Sequence, residues 1–143
     1  MLLENHIVES VSQYLKNNGF ELKQQLLSTE KGDDIIAVHN KTKTNIFIEA
    51  KGETSAVVTS KRYGKPFSKS QVKDHVANAF YRAAKMLDEN GDSCLVGIAL
   101  PQNSDHQDVV RAIQKSLKKM KIEVFWVNSN REVVVANHWN IWT

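Results

Sequence analysis

The spacing of apolar residues changes along this 143-residue chain, and the change predicts the order of its helices and strands. Over residues 4–18, apolar residues recur every three or four positions, which is typical of a helix with one buried face. Three extended stretches follow, roughly at 21–29, 34–39 and 44–51, separated by the turn-like sequences KGD and NKTK. This part of the chain predicts a three-stranded meander.

The second half of the chain alternates helices with strands. A helix is expected to begin near Ser68 or Ser70 and to end at about Glu89, followed by a central strand over 93–100 and a helix over about 105–120. The apolar sequences IEVFWV and EVVVAN then predict two strands around the turn NSNR. The fold class is therefore α/β, in the order αβββαβαββ, with a mixed central sheet flanked by helices.

Composition and charge exclude several classes of protein. With 41% hydrophobic and 24% charged residues, the chain fits one globular domain, predicted to cover residues 1–143. It has no apolar run of the roughly 20 residues that a membrane helix needs, and its start lacks the pattern of a signal peptide. We therefore expect a soluble, cytoplasmic protein with no membrane partner. The single cysteine, Cys94, excludes an intrachain disulfide and a thiolate-rich metal site.

Two carboxylates fall at the same end of the hairpin that the second and third strands predict. Asp34 begins one strand, Glu49 lies near the end of the next, and the turn is centred near Lys41-Thr42. The numbers of opposed residues in an antiparallel hairpin sum to a constant, here about 83, which Asp34 and Glu49 satisfy. Lys51 is two residues beyond Glu49, so its side chain leaves the same face. These three charged groups are predicted to converge at the margin of the core.

Such a group of charges has a chemical use. Opposed like charges destabilise a hairpin, and proteins tolerate them mainly where a cation or a reaction requires them. Two carboxylates can hold Mg²⁺ through hard oxygen ligands, and a lysine beside them can hold or help deprotonate a water molecule. The alternative is that Asp34 only opens its strand while Glu49 and Lys51 are solvated edge charges. The spacing alone does not decide between the two.

With GDDIIA, then IEAKG, and with this order of elements, about residues 1–128 resemble the PD-(D/E)XK nuclease superfamily, which has the restriction-endonuclease-like fold. The resemblance assigns Asp34 to the first acidic position and Glu49-Ala50-Lys51 to the second acidic residue and the lysine. Asp33 competes for the first position, but it would point to the opposite face. The resemblance implies hydrolysis of phosphodiester bonds, with Mg²⁺ as cofactor, Mn²⁺ as a substitute and DNA as the expected substrate.

The resemblance also extends the site to two helices. Superfamily members often carry a glutamate on the first helix near the metal, and Glu4 shares the buried stripe of that helix, so it is a third candidate ligand. Its alternative role is that of an acid favoured by the helix dipole. Several relatives carry a glutamine on the helix after the third strand, which here is Gln71, and some carry a tyrosine where this chain has His75. The polar stripe continues through Asn78 and Arg82, and its alternative is an ordinary solvated face.

A basic loop precedes this helix and contains Tyr63 and Phe67. Cations beside a metal site can neutralise the phosphates of a nucleic acid, whereas the alternative is a solvated basic loop. The candidate nucleic-acid contacts are Lys61, Arg62, Lys65, Lys69 and His75.

We therefore expect a Mg²⁺-dependent endonuclease, and the alternative is a catalytically inactive nucleic-acid-binding or assembly subunit with the same fold. The small size of the domain leaves little room for a separate recognition domain, so a homodimer or another subunit is expected to supply any sequence specificity. Trp139 and Trp142 are expected to cover the core or to make an oligomer contact, with stacking on bases as a third role.

Overall fold

The computed structural model describes residues 1–26, 32, 34–54 and 64–142. The helices in these ranges are α1 (Glu4–Asn17), α2 (Lys69–Asn90), α3 (Ser104–Arg111) and α4 (Gln114–Lys119). The strands are β1 (Phe20–Gln25), β2 (Ile35–His39), β3 (Asn45–Ala50), β4 (Cys94–Pro101), β5 (Ile122–Val127) and β6 (Val133–Val135). A short 3₁₀ turn, Gly91–Ser93, joins α2 to β4.

The strands of the described ranges form one mixed sheet in chain order, from β1 at one edge to β6 at the other. The meander β1-β2-β3 is antiparallel, β3, β4 and β5 run parallel, and β6 pairs antiparallel with β5. Ile35 pairs with Ile48 and Ala37 with Ile46, so opposed residue numbers in β2 and β3 sum to 83, and the predicted register is confirmed. The predicted α/β class, with helices flanking a mixed sheet, is confirmed as well.

Each face of the sheet carries its own apolar core. On one face, α1 buries Ile7, Val8, Val11 and Leu15 completely, which explains the helical spacing of these residues. On the other face, α2 packs Val76 and its neighbours against β3 and β4. Because successive side chains of a strand alternate between the faces, Ile46 and Ile48 of β3 belong to the first core and Phe47 contacts the second. Glu49 and Lys51 follow Phe47 at intervals of two and therefore leave β3 on the α2 side.

The prediction of a single helix over 105–120 was wrong in one respect, because the structure divides this region into α3 and α4. Ile113 departs from helical geometry, with φ −123° and ψ 14°, and its N–H donates to the carbonyl oxygen of Val110 three residues back. Val110 and Leu117 nevertheless both contact the α2-side core. The helical spacing of apolar residues thus continues across the break between α3 and α4. This explains why no sign of the break is visible in the sequence.

The C-terminal segment closes the core around a buried carboxylate. Glu123 of β5 is fully buried, and its two oxygens accept hydrogen bonds from the backbone N–H groups of Val124, His138 and Trp139 and from Nε1 of Trp142, at 2.8–3.2 Å. Trp139 is buried and its ring stacks on Trp142, with centroids 5.8 Å apart. The two tryptophans therefore cover the core, which was one of the roles predicted for them.

Within the described ranges, none of the helices combines the length and the apolar character needed to cross a membrane.

Candidate metal and phosphodiester site

Asp34 and Glu49 meet because of the register between β2 and β3. Asp34 directly precedes β2, so it lies one step beyond the pair Ile35–Ile48 and opposite Glu49. Its side chain is 6% exposed, and Oδ2 accepts a 2.7 Å hydrogen bond from the backbone N–H of Ala50. The carboxylate of Asp34 is thus anchored to the strand that carries Glu49.

Glu49 lies largely buried beside a second carboxylate, that of Asp34. Its side chain is 12% exposed. Burial, then a hydrogen bond to Asp34 and the negative charge of Asp34, raise the pKa of Glu49 to about 8, although Lys51 and Arg82 act in the opposite direction. A proton held by the pair would relieve the repulsion between the two carboxylates when no metal cation is bound. A divalent cation would replace that proton.

Lys51 supplies the nearest lysine to this acid pair among the described residues. Its Nζ lies 4.0 Å from Oε1 of Glu49, and its side chain is 22% exposed. The side chains of Glu49 and Lys51 leave the same face of the strand, as their spacing predicts. The structure therefore brings together Asp34, Glu49 and Lys51.

Glu4 approaches the same group from the first turn of α1. Burial raises the pKa of Glu4 to about 7, with a further contribution from the charge of Asp34 and an opposing one from Lys51. The helix begins directly against the end of β3, where a Cβ on Gly52 would lie 2.5 Å from the backbone nitrogen of Glu4. Glu4 is thus close enough to Asp34 and Lys51 to feel their charges.

Arg82 is the residue of the site that sequence reasoning missed. Its Nε donates a hydrogen bond to Oε2 of Glu49, and NH2 lies 3.5 Å from the carbonyl oxygen of Gly32. The sequence showed Arg82 as the last member of the polar stripe on α2 but did not show which strand this stripe faces. The position of Arg82 in this polar stripe was therefore the signal in the sequence that could have placed it in the site.

Gln71 is placed at the start of α2, where it forms a capping box with Ser68. Its Oε1 accepts from the backbone N–H of Ser68 at 2.9 Å, and its own N–H donates to Oγ of Ser68 at 3.3 Å. The contacts found for Gln71 are thus those of a helix cap. Its predicted role in the site stays a prediction.

The predicted nucleic-acid contacts are only partly within the described ranges. His75 packs edge-on against Phe67, with ring centroids 4.4 Å apart, and burial followed by the charge of Lys51 lowers its pKa. His75 thus lies near the lysine of the motif. Lys65 and Lys69 are exposed at the start of α2. Lys61 and Arg62, like the competing acid Asp33, lie outside the described residues.

The donor atoms of the site fit a hard divalent cation, with two protein ligands. In the part of the chain that the structure describes, no group of three or more His, Cys, Asp or Glu side chains is arranged to hold a metal ion. Asp34 and Glu49 therefore offer a pair of carboxylates, and the role of Glu4 as a third ligand stays a prediction. Mg²⁺ is commonly held by one or two carboxylates, with waters and phosphate oxygens completing its octahedral shell.

Comparison with known proteins finds a similar fold but no related sequence. No family model and no curated protein matches the chain. An XisH family protein from Nostoc punctiforme PCC 73102 aligns over 90% of this chain and 96% of its own, with a TM-score of 0.53 and 12% sequence identity. An FdxN element excision controlling factor protein from Anabaena variabilis aligns over 91% and 96%, with a TM-score of 0.49 and 13% identity. At this identity, the first likeness shows a shared fold and nothing about the site.

Proposed function

We propose that this chain is a metal-dependent nuclease that hydrolyses phosphodiester bonds of DNA at Asp34, Glu49 and Lys51. The observation that carries the proposal is the nearly buried pair of carboxylates, Asp34 and Glu49, which the register of β2 and β3 places opposite each other. Such a pair is unfavourable unless a proton or a cation neutralises it. It occupies the two acidic positions of the motif that resembles the PD-(D/E)XK superfamily, and Lys51 occupies the third.

The residues of the site divide the work of hydrolysis. Asp34 and Glu49 would hold Mg²⁺ or Mn²⁺, and the backbone N–H of Ala50 keeps Asp34 oriented through Oδ2. When bound, the cation neutralises charge on the scissile phosphate and favours ionisation of a coordinated water. Lys51, 4.0 Å from Glu49, can donate a hydrogen bond to the water or to a phosphate oxygen beside the cation. Glu4, in the first turn of α1, adds negative charge to the site.

The nucleic acid is proposed to lie across the start of α2. Lys65 and Lys69 are exposed there, and the pKa of His75, further along α2, is lowered by burial and then by the charge of Lys51, which is close enough to act on it. Each phosphate that a lysine neutralises adds about one unit to the slope of the logarithm of the binding constant plotted against the logarithm of the salt concentration. The remaining predicted contacts, Lys61 and Arg62, are proposed from the sequence. A homodimer also stays a prediction.

Cleavage assays with matched variants test this function. Plasmid, linear duplex, single-stranded DNA and RNA are incubated with the protein in Mg²⁺, in Mn²⁺ or in EDTA. We expect metal-dependent cleavage that Asp34→Asn, Glu49→Gln and Lys51→Met each reduce by about a hundredfold or more. Glu132→Gln, which changes an exposed glutamate of the β5–β6 turn, is the control. Undiminished cleavage by Glu49→Gln would contradict the proposal.

One observation favours a second candidate, a nucleic-acid-binding subunit without turnover. Arg82 holds Oε2 of Glu49, an oxygen that a cation would otherwise use. This candidate predicts salt-sensitive DNA binding that Lys65→Ala and Lys69→Ala weaken, with no cleavage in either metal. If the Arg82→Ala variant cleaves DNA and the wild type does not, the result would instead favour the nuclease.

A further inference from the structure

Glu53, two residues beyond Lys51, joins four segments of the chain around the candidate site. Its backbone N–H donates to the carbonyl oxygen of Leu2 at 2.9 Å, and its Oε1 accepts from the N–H of Leu2 at 2.7 Å. Its Oε2 accepts from Nδ2 of Asn103 at 3.0 Å, and its carbonyl oxygen accepts from the N–H of Phe67 at 3.1 Å. The segments before α1, before α2 and before α3 are thus all tied to the end of β3.

The two bonds to Leu2 hold the first turn of α1 in place. Leu2 precedes Glu4 by two residues, and Gly52 packs so closely that an added Cβ would meet the backbone of Leu2 and Glu4 at 3.0 and 2.5 Å. This contact leaves no room for α1 to slide along β3. Because Lys51 is adjacent to Gly52, the distance between Glu4 and Lys51 depends on the same contacts.

The bond to Asn103 requires an oxygen at position 53. Oδ1 of Asn103 accepts from the backbone N–H of His106 at 2.9 Å and lies 2.8 Å from Nδ1 of that histidine. Since Oδ1 is committed as an acceptor, Nδ2 is the atom that faces Glu53. Both oxygens of Glu53 therefore receive N–H donors, one from Leu2 and one from Asn103. A glutamine has one oxygen and can satisfy only one of them.

We propose that Glu53 is a positioning residue of the metal site, which holds Glu4 where its carboxylate adds negative charge beside Asp34 and Glu49. The inference rests on the proposed function, since it needs a cation at that acid pair. Glu53 itself is not a ligand, because its oxygens are engaged by Leu2 and Asn103. It acts through α1, which carries Glu4 to within electrostatic reach of Asp34.

Mn²⁺ affinity, measured by electron paramagnetic resonance on the full chain, tests the role of Glu53. We expect Glu53→Gln to weaken Mn²⁺ binding about tenfold, as the loss of an outer contact does at other metal sites. A double-mutant cycle with Glu4→Gln separates positioning from general destabilisation, because Glu53→Gln should have no further effect once Glu4 is neutral. Glu132→Gln should bind Mn²⁺ as the wild type does.

Asn103→Asp provides a second variant in case Glu53→Gln does not fold. Aspartate keeps the cap on the N–H of His106 but places a negative charge against Glu53, so the contact is lost by repulsion. Mn²⁺ binding should weaken in the same way, and again only when Glu4 is present. Wild-type affinity in both variants, or an equal loss in the Glu4→Gln background, would overturn the positioning role alone. If Asp34→Asn binds Mn²⁺ as tightly as the wild type, the metal site and the role of Glu53 both fall.

Discussion

Asp34 and Glu49 face each other at the end of β3, one step beyond the pair Ile35–Ile48. The arrangement follows from the register of a single hairpin, and Ala50 anchors it through its backbone N–H. Opposed acids usually weaken a sheet. Here they are nearly buried and lie at the edge of the sheet where the parallel strands β3, β4 and β5 have their carboxyl ends, which is where α/β sheets commonly bind their ligands.

The stability of the metal-free protein should fall as the pH rises from 6.5 to 8. Glu4 and Glu49 have pKa values raised to about 7 and about 8, so the folded state binds their protons more tightly than the unfolded state does. Their contribution is complete below pH 4.5 and is lost as the pH rises through the folded values, at a rate of at most about 1.4 kcal/mol per pH unit for each carboxyl. Urea denaturation in EDTA, repeated at several pH values, measures the free energy of unfolding and thus this loss.

The buried His106 makes its own contribution to the pH dependence, mainly below this window. Burial lowers the pKa of His106 to about 4, so its contribution is present above pH 6.5 and is lost only on acidification. The control is Glu49→Gln, which should have a flatter profile between pH 6.5 and 8. Profiles of equal slope in the two proteins would show that Glu49 does not titrate there.

Metal binding should release protons. If Mn²⁺ or Mg²⁺ replaces the proton held by Asp34 and Glu49, the affinity rises with pH between 6 and 8 and the heat of binding depends on the buffer. Calorimetry at pH 7 in two buffers with different ionisation enthalpies gives the number of protons released. The Glu49→Gln variant should bind the cation weakly and release fewer protons than the wild type does. Binding of the wild type without proton release would mean that the cation occupies another place.

The hairpin and its acids could be predicted because two independent signals agree. The alternation of apolar residues in β2 and β3 fixes the faces, and the short turn between them fixes the register, so Asp34 and Glu49 follow by counting. Their contact involves neighbouring strands only. The roles of these residues stay predictions until cleavage is measured.

Other features depend on packing between distant parts of the chain. Arg82 reaches Glu49 across 33 positions, and its contact depends on how α2 lies over the sheet. Glu123 sits in the apolar run IEVFWV, and its partners lie up to 19 residues further on in an irregular segment. Glu53 follows the motif closely, but its partners Leu2 and Asn103 are 51 and 50 residues away. A single sequence shows the residue types but not these contacts.

Glu123→Gln should destabilise the protein by about 3 kcal/mol without changing Mn²⁺ affinity. The buried carboxylate accepts four N–H bonds, and a glutamine would present its own NH₂ to at least one of those donors. Urea denaturation gives the change, with the exposed Glu132→Gln as the matched control. Loss of the stacked pair Trp139–Trp142 should appear in the near-ultraviolet circular dichroism. An unchanged midpoint would contradict the assigned role of Glu123.

Gly52→Ala and Gly97→Ala form a matched pair that separates the start of α1 from the rest of the fold. A Cβ at residue 52 would lie 2.5 Å from the backbone nitrogen of Glu4, whereas a Cβ at residue 97 would lie 2.9 Å from the ring of Phe125. Overpacking of this kind costs about 1–3 kcal/mol, so both variants should unfold at lower urea concentration. Only the first displaces the helix that carries Glu4.

Mn²⁺ affinity should therefore distinguish the two glycine variants. Gly52→Ala should bind Mn²⁺ more weakly than the wild type, because its backbone clash moves Glu4 away from Asp34. Gly97→Ala should keep the wild-type affinity, since it lies under Phe125 on the α1 face of the sheet and not at the acid pair. Equal affinities in the two variants, at comparable losses of stability, would show that the placement of α1 does not govern the cation.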